Sequence, residues 1–168
     1  MMNLPKHPAG SRLALLAMCG DLVIAIEADV IHQIRRAEET KARLVDRGMW
    51  VLELEDQEIA GWDLGELLGL GATADAWVIV TLPDATRVGL RVGRCVTVQP
   101  LPVCRAVPRT IFVARTGAIT AGFSAVGIAE LEGYPSGVVI DVGRLLAEAE
   151  LALARKLTRE GREATPPS

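Results

Sequence analysis

One short pattern occurs twice in this chain, and it constrains the fold more than any other feature. Glu53-Leu54-Glu55 leads through Asp56 and Gln57 into an apolar run that ends at Asp63-Leu64-Gly65-Glu66-Leu67-Leu68. Near the other end, Glu130-Leu131-Glu132 leads through Gly133, Tyr134 and Pro135 to Asp141-Val142-Gly143-Arg144-Leu145-Leu146. The spacing is 77 residues from Glu53 to Glu130 and 78 from Asp63 to Asp141. Each copy reads as a strand, a turn and a second apolar strand. An aspartate then fits the N-cap of a short helical piece, because its carboxylate accepts from backbone N–H groups of the first turn. Two leucines follow on one face. Against the reading of chance similarity between short apolar motifs, the shared order and spacing predict two similar half-domains.

Apolar residues make up 50% of the 168 residues, but aromatics only 4%. The core must therefore be built from branched aliphatics, and valine and isoleucine between Gly and Pro punctuation favour strands. The chain is long enough for one domain or two intimate halves. Its net charge of −3 comes from interspersed charges, so no basic stripe offers itself to a nucleic-acid backbone. No apolar run approaches the roughly 20 residues that span a bilayer, and residues 1–10 lack the apolar core of a signal peptide. With three cysteines, Cys19, Cys95 and Cys104, free thiols in a cytoplasmic protein are the expectation.

Residues 1–11 read as a flexible arm interrupted by Pro5, Pro8 and Gly10. Residues 12–18 and 22–26 are apolar runs joined by Cys19-Gly20-Asp21, a hairpin signal. Residues 27–36 suit a bent strand or a short helix, and the charged stretch 37–47 has weak helical character up to Gly48. Beyond a connector at 69–76, residues 77–82 form a strand that Pro83-Asp84-Ala85-Thr86 turns back. Val88, Leu90 and Val92 alternate as in a strand and read as core; Gly93-Arg94 suggests a bulge before a strand at 95–98. Pro100, Pro102 and Pro108 mark an irregular excursion, with a short strand expected at 111–113. Leu145, Ala149, Leu153 and Leu157 recur at helical spacing, predicting an amphipathic helix to about Arg159 that Gly161 closes, with a mobile tail beyond. Many short strands plus this helix point to two small antiparallel barrels.

Catalytic constellations are missing from the pattern. His7 lies in the arm, and His32 stands alone beside Ile31 and Ile34, where a structural role is the usual one. Cys95 and Cys104 have no partners at metal-ligand spacing, and Ser124 sits in no Gly-x-Ser-x-Gly elbow. Gly69-Leu70-Gly71 opens no helix after a strand, which argues against a phosphate loop. The cluster Glu53, Glu55, Asp56 and Glu58 reads first as a solvated strand and turn; paired catalytic carboxylates or a patch for a basic partner are the alternatives. No cofactor is implied. The chain reads as a protein that works through its surfaces.

In their order, the motifs resemble the CheW-like family of chemotaxis adaptors. The family's Ile-x-x-Val-x-Glu-Ile-Arg-like strand is similar to 28–35, Ala-Asp-Val-Ile-His-Gln-Ile-Arg. Its Asn-Leu-Arg-Gly, apolar strand and Asp-Leu-x-x-Leu-Leu-Gly-Leu are similar to 53–56 and 63–70. Its Val-Gly-Leu-x-Val resembles 88–92, and its closing Leu-x-Asp-x-x-x-Leu-Leu resembles 139–146. The resemblance implies two pseudo-symmetric five-stranded SH3-like barrels over residues 12–148, joined near 69–76, with a helix and tail at 149–168. It also implies a non-enzymatic adaptor that binds the cytoplasmic tip of a chemoreceptor (a methyl-accepting protein) and couples it to the regulatory domain of a CheA-type histidine kinase. Ile31, Gln33, Ile34, Glu55 and Asp56 are the implied partner-binding residues, with Ile31, Ile34 and the neighbourhood of Gln33 and Glu55 implied for the receptor-side groove; no nucleic acid and no membrane insertion are implied.

The chain departs from that pattern in its first half. The family pairs a Glu in the first motif with the Arg of Asn-Leu-Arg-Gly, where this chain has Gln33 and Glu55. If the two face each other, an amide–carboxylate hydrogen bond replaces an ion pair. The turn glycine is Asp56, and the Pro-rich loop before the motif is replaced by the charged stretch 37–47. These changes suit a divergent member that keeps one contact and alters another, so a modulator that binds receptor without kinase is the nearest alternative. A small-barrel enzyme or ligand-binding sensor is the rival of another class, marked by a deep pocket with convergent polar groups.

Overall fold

The structure, a computed structural model, describes residues 12–46, 48–73, 75–100, 125–131, 134–146 and 148–164. The arm 1–11, the proline-marked excursion, the strand expected at 111–113, Cys104, Ser124 and the C-terminal tail lie outside the described residues.

Eleven described strands form two sheets. They are β1 (Leu13–Cys19), β2 (Leu22–Glu27), β3 (Ile31–Arg36), β4 (Ala42–Asp46), β5 (Met49–Leu54), β6 (Gln57–Asp63), β7 (Ala76–Thr81), β8 (Arg87–Val92), β9 (Cys95–Pro100), β10 (Ala125–Leu131) and β11 (Tyr134–Ile140). One sheet runs β10-β11-β2-β1-β9 and the other β3-β7-β8-β6-β5-β4. The described helices are α1 (Leu64–Leu67), α2 (Val142–Leu145) and α3 (Glu148–Ala164).

The repeat is real in three dimensions. Hairpin β5–β6 precedes Asp63 and α1, and hairpin β10–β11 precedes Asp141 and α2. In each copy the second strand also makes a parallel pairing, β6 with β8 and β11 with β2. β1–β2 thus corresponds to β7–β8, yet each hairpin completes the sheet of the other repeat. The chain is mainly β, with two pseudo-symmetric, interlocked sheets and a C-terminal helix. The second sheet carries β4 as a sixth strand, and both ladders are open among the described residues.

The central strands β1, β2, β6, β7 and β8 are buried on both faces, which explains their near-continuous apolar runs. Alternate residues of β1, β2, β6, β7 and β8 meet in a shared core containing Leu15, Ile24, Trp62, Val78 and Leu90. The opposite faces close smaller cores, Leu16 and Val139 in the first sheet and Leu52, Ile59, Trp77 and Ile79 in the second. Val88, Leu90 and Val92 are fully buried, as read from their period. Glycine makes the second small core possible. A Cβ on Gly61 would meet Leu52 Cδ1 and stand 2.8 Å from Trp77 Cζ3, and one on Gly89 would lie 3.0 Å from Leu52 Cδ2. Small residues on β6 and β8 make room for the large ones facing them.

Three expectations need correction. The stretch 37–47 is a single 3-10 turn, Ala37–Glu39, followed by strand β4. Weak helical propensity lost there to pairing with β5, register Ala42↔Leu52 and Leu44↔Trp50. The C-terminal helix does not stop at Gly161; α3 runs to Ala164, and a Cβ at Gly161 would lie 2.8 Å from Gln57 Cβ. That glycine serves close approach to β6 rather than a helix end. Its buried face is Leu151, Ala154 and Thr158, with Leu153 and Leu157 half-buried and Ala149 exposed, while Leu145 belongs to the separate α2. Leu151 and Ala154 pack into the shared core, and two exposed polar contacts to the β7–β8 turn flank them: Arg155 Nε donates to Asp84 Oδ2 at 2.8 Å, and Arg162 Nη2 donates to the Ala85 carbonyl at 3.1 Å.

Candidate functional site

Where the two sheets meet, the end of β2, the 3-10 turn Ala28–Val30, the end of β7 and the start of α2 enclose an open cleft of about 350 Å³. Its floor is apolar, with Val30, Val80, Leu82, Pro83, Ile140 and Val142. Its lining also carries charge: Arg12 Nη1 lies 3.1 Å from Glu27 Oε1, and Asp141 lines the cleft as well. An apolar trough with charged edges matches the two-sided character of an amphipathic helix.

The structure separates the residues implied by resemblance. Ile31 and Ile34 are half-buried on β3 and pack against the shared core. Gln33 points to the opposite face; a register shift between Ile31 and Gln33 sets this orientation, and Gln33 pairs with Ile79. Its Nε2 is buried without a hydrogen-bond partner among the described residues. Glu55 and Asp56 form the tip of the β5–β6 hairpin, both with positive φ, 48° and 66°. Strands β7 and β8 lie between β3 and that hairpin. Glu55 does not bond to Gln33 but reaches Arg87, with 3.7 Å between Oε2 and Nη1. The amide–carboxylate pair considered from sequence is therefore not formed.

The rest of the acidic cluster is a neutralised surface. Glu53 Oε2 stands 3.8 Å from Lys41 Nζ and Glu58 Oε1 stands 3.5 Å from Arg43 Nη2, across the β4–β5–β6 ladder. His32 is exposed, and among the described residues no three His, Cys, Asp or Glu gather as a metal site. Cys19 and Cys95 are free thiols. Burial pushes the Cys19 thiol up to about 12, and burial raises Cys95 as well. No helix among the described residues is long and apolar enough to cross a membrane.

One cluster escaped the sequence reading. The Arg91 guanidinium carbon lies 4.6 Å from the centre of the Trp50 ring and 5.7 Å from that of Trp77. The two indoles meet edge to face at 6.0 Å. The Trp residues are 27 positions apart in the chain. Only the strand order, which puts Trp77 beside Arg91 and Trp50 beside Gly61, brings them together. Two aromatics and an arginine on strand-forming runs were visible; their register was not.

No protein-family model matches this chain, and no curated protein matches it. Among solved structures, it is similar to the scaffolding protein TtCheW from Thermoanaerobacter tengcongensis, with a TM-score of 0.67 and 15% identity. The likeness covers 87% of this chain and 94% of that one. It shows that the two share a fold, the CheW fold that the resemblance implies.

Proposed function

We propose that this chain is a non-enzymatic, cytoplasmic adaptor of a bacterial chemosensory array. The observation that carries the reading is the likeness in fold to a scaffolding protein over nearly the whole of both chains. In this reading the cleft between the sheets receives an amphipathic helix from the cytoplasmic tip of a chemoreceptor. Val30 lines the cleft and Ile31 follows it directly, so the β3 edge with Ile31 and Ile34 continues that wall. Gln33 faces away from the cleft, and Glu55 and Asp56 lie on a hairpin tip. They serve the second contact, with the regulatory domain of a CheA-type kinase.

A paired binding assay tests this. One arm uses the cytoplasmic fragment of a cognate receptor, the other the regulatory domain of the cognate kinase. Binding to both, with receptor binding lost in Val30→Lys, establishes the adaptor. Binding to receptor alone makes the chain a modulator of array composition. Binding to neither overturns the array reading.

A further inference from the structure

We propose that Arg91, framed by Trp50 and Trp77, is an anchor for a carboxylate on a partner protein, carried beside an apolar residue. This site lies on the second sheet's outer face, away from the cleft, and the inference stands whether or not the chain engages a chemoreceptor.

Arg91 lies on the same face of β8 as Gly89, above which the Trp77 ring stands. On β6 the position between β8 and Trp50 is Gly61, so no side chain there keeps the guanidinium from the Trp50 indole. Contact with two indoles restricts the guanidinium, as cation–π geometry requires. A restrained guanidinium presents a planar fork that matches the two oxygens of a carboxylate.

No described residue supplies those oxygens. Neither Arg91 nor its neighbour across Trp77, Arg35, takes part in an ion pair among the described residues. Arg91 Nε is buried without a hydrogen-bond partner. Asp63, beside Arg91 in the ladder, is committed elsewhere: it accepts from the Thr73 N–H and hydroxyl and from the Glu66 N–H. Arg91 is half-buried and its charge has no ion-pair partner, so a carboxylate that meets the guanidinium at its open edge compensates a charge the fold leaves unpaired. The second arginine, Arg35, favours the same charge.

A chain segment fits better than a free anion because of the shelf beside the arginine. Leu44 pairs with Trp50 on the edge strand β4, so the two share a face, and Leu44 is 60% exposed. An acidic residue on Arg91 would place an apolar neighbour against Leu44 and Trp50. A large apolar side chain exposed next to a desolvated arginine is the composition of an interface anchor.

The test is a nitrogen-15 NMR titration of the intact chain, reading the Arg91 Nε–H and the Trp50 indole N–H. The probes are capped leucyl-glutamate, capped leucyl-glutamine and inorganic phosphate. The expected result is saturable shifts with the glutamate peptide alone, with a Kd on the order of 1 mM, weakened by salt and lost in Arg91→Gln. Equal shifts with the glutamine peptide, or none with either peptide, would overturn the proposal. Equal shifts with phosphate would overturn its commitment to a protein segment. Should Arg91→Gln fail to fold, the comparison of the two peptides on the unaltered chain decides alone.

Discussion

Asp63 and Thr73 are joined by three hydrogen bonds: Oδ2 accepts from the Thr73 N–H at 3.0 Å, and Oδ1 from the same N–H at 3.2 Å and from the hydroxyl at 3.0 Å. Oδ1 also accepts from the Glu66 N–H at 3.1 Å, which makes Asp63 the N-cap of α1. The first copy of the repeated unit is thus tied to the connector before β7, and Asp63 is only 2% exposed. Removing the carboxylate strands several buried donors at once. Asp63→Ala should lose about 3 kcal/mol of stability, a cap plus unsatisfied buried groups. Asp141, its counterpart, is half-buried, and Asp141→Ala should lose less than half as much. Urea denaturation of the two variants checks the order; an equal loss would mean that burial does not set the difference.

Gly61 is held by sterics rather than by backbone conformation. Its missing side chain is the space filled by Leu52 and Trp77, both within 1% of full burial. Adding one methyl group should destabilise by about 1–3 kcal/mol, the usual cost of overpacking. Gly61→Ala should also change the near-ultraviolet circular dichroism, because Trp77 and Trp50 must move together. An unchanged aromatic signal with unchanged stability would show that the small core has slack.

Much of this fold was legible because its local signals agree with its global pairing. The β1–β2 hairpin follows from Gly20, which has φ 59°, and the Gly93-Arg94 interruption appears as the point where both residues bond to Met18. Asp63 was readable as a cap because a cap depends on residues three apart. Apart from β4, which pairs with the very next strand, the failures concern partners distant in sequence. Strand β4 exists because β5 pairs with it, Gly161 is required by Gln57, and the Arg91 cluster depends on strand order. The positions of Gln33 and Glu55 fall in the same class. Nothing local to either residue tells that two strands separate them, or that Arg87 takes the carboxylate.

Thiol reactivity should separate the described cysteines from an exposed thiol. With Cys19 raised to about 12 by burial, its thiolate fraction at pH 8 is on the order of 10⁻⁴. Cys95 is raised in the same direction by the same cause. Iodoacetamide at pH 8 should therefore leave Cys19 unmodified in the folded chain, with Cys95 reacting more slowly than a free thiol. Raising the pH should accelerate Cys95 first. Peptide mapping of the alkylated protein checks this, and rapid modification of Cys19 without unfolding would contradict its burial.

The β5–β6 turn stores strain that a single substitution can release. Leu54 pairs with Gln57, so Glu55 and Asp56 form a two-residue loop, and both have positive φ. A type I′ turn demands that geometry and prefers glycine at its second position. A left-handed residue other than glycine costs roughly 1–2 kcal/mol unless, as asparagine and aspartate can, its side chain bonds locally, while glycine adds about 0.4–1 kcal/mol of unfolded-state entropy. The strain relieved exceeds the entropy added, so Asp56→Gly should stabilise by about 0.5 kcal/mol and raise Tm by roughly 1–2 °C. Glu55→Arg, by contrast, would place a cation beside Arg87 in place of the present 3.7 Å ion pair and should lower stability slightly. Thermal unfolding of both variants checks the opposite signs. A lower Tm in Asp56→Gly would mean that the aspartate side chain bonds its own turn, and that this residue is kept for the hairpin rather than for a partner.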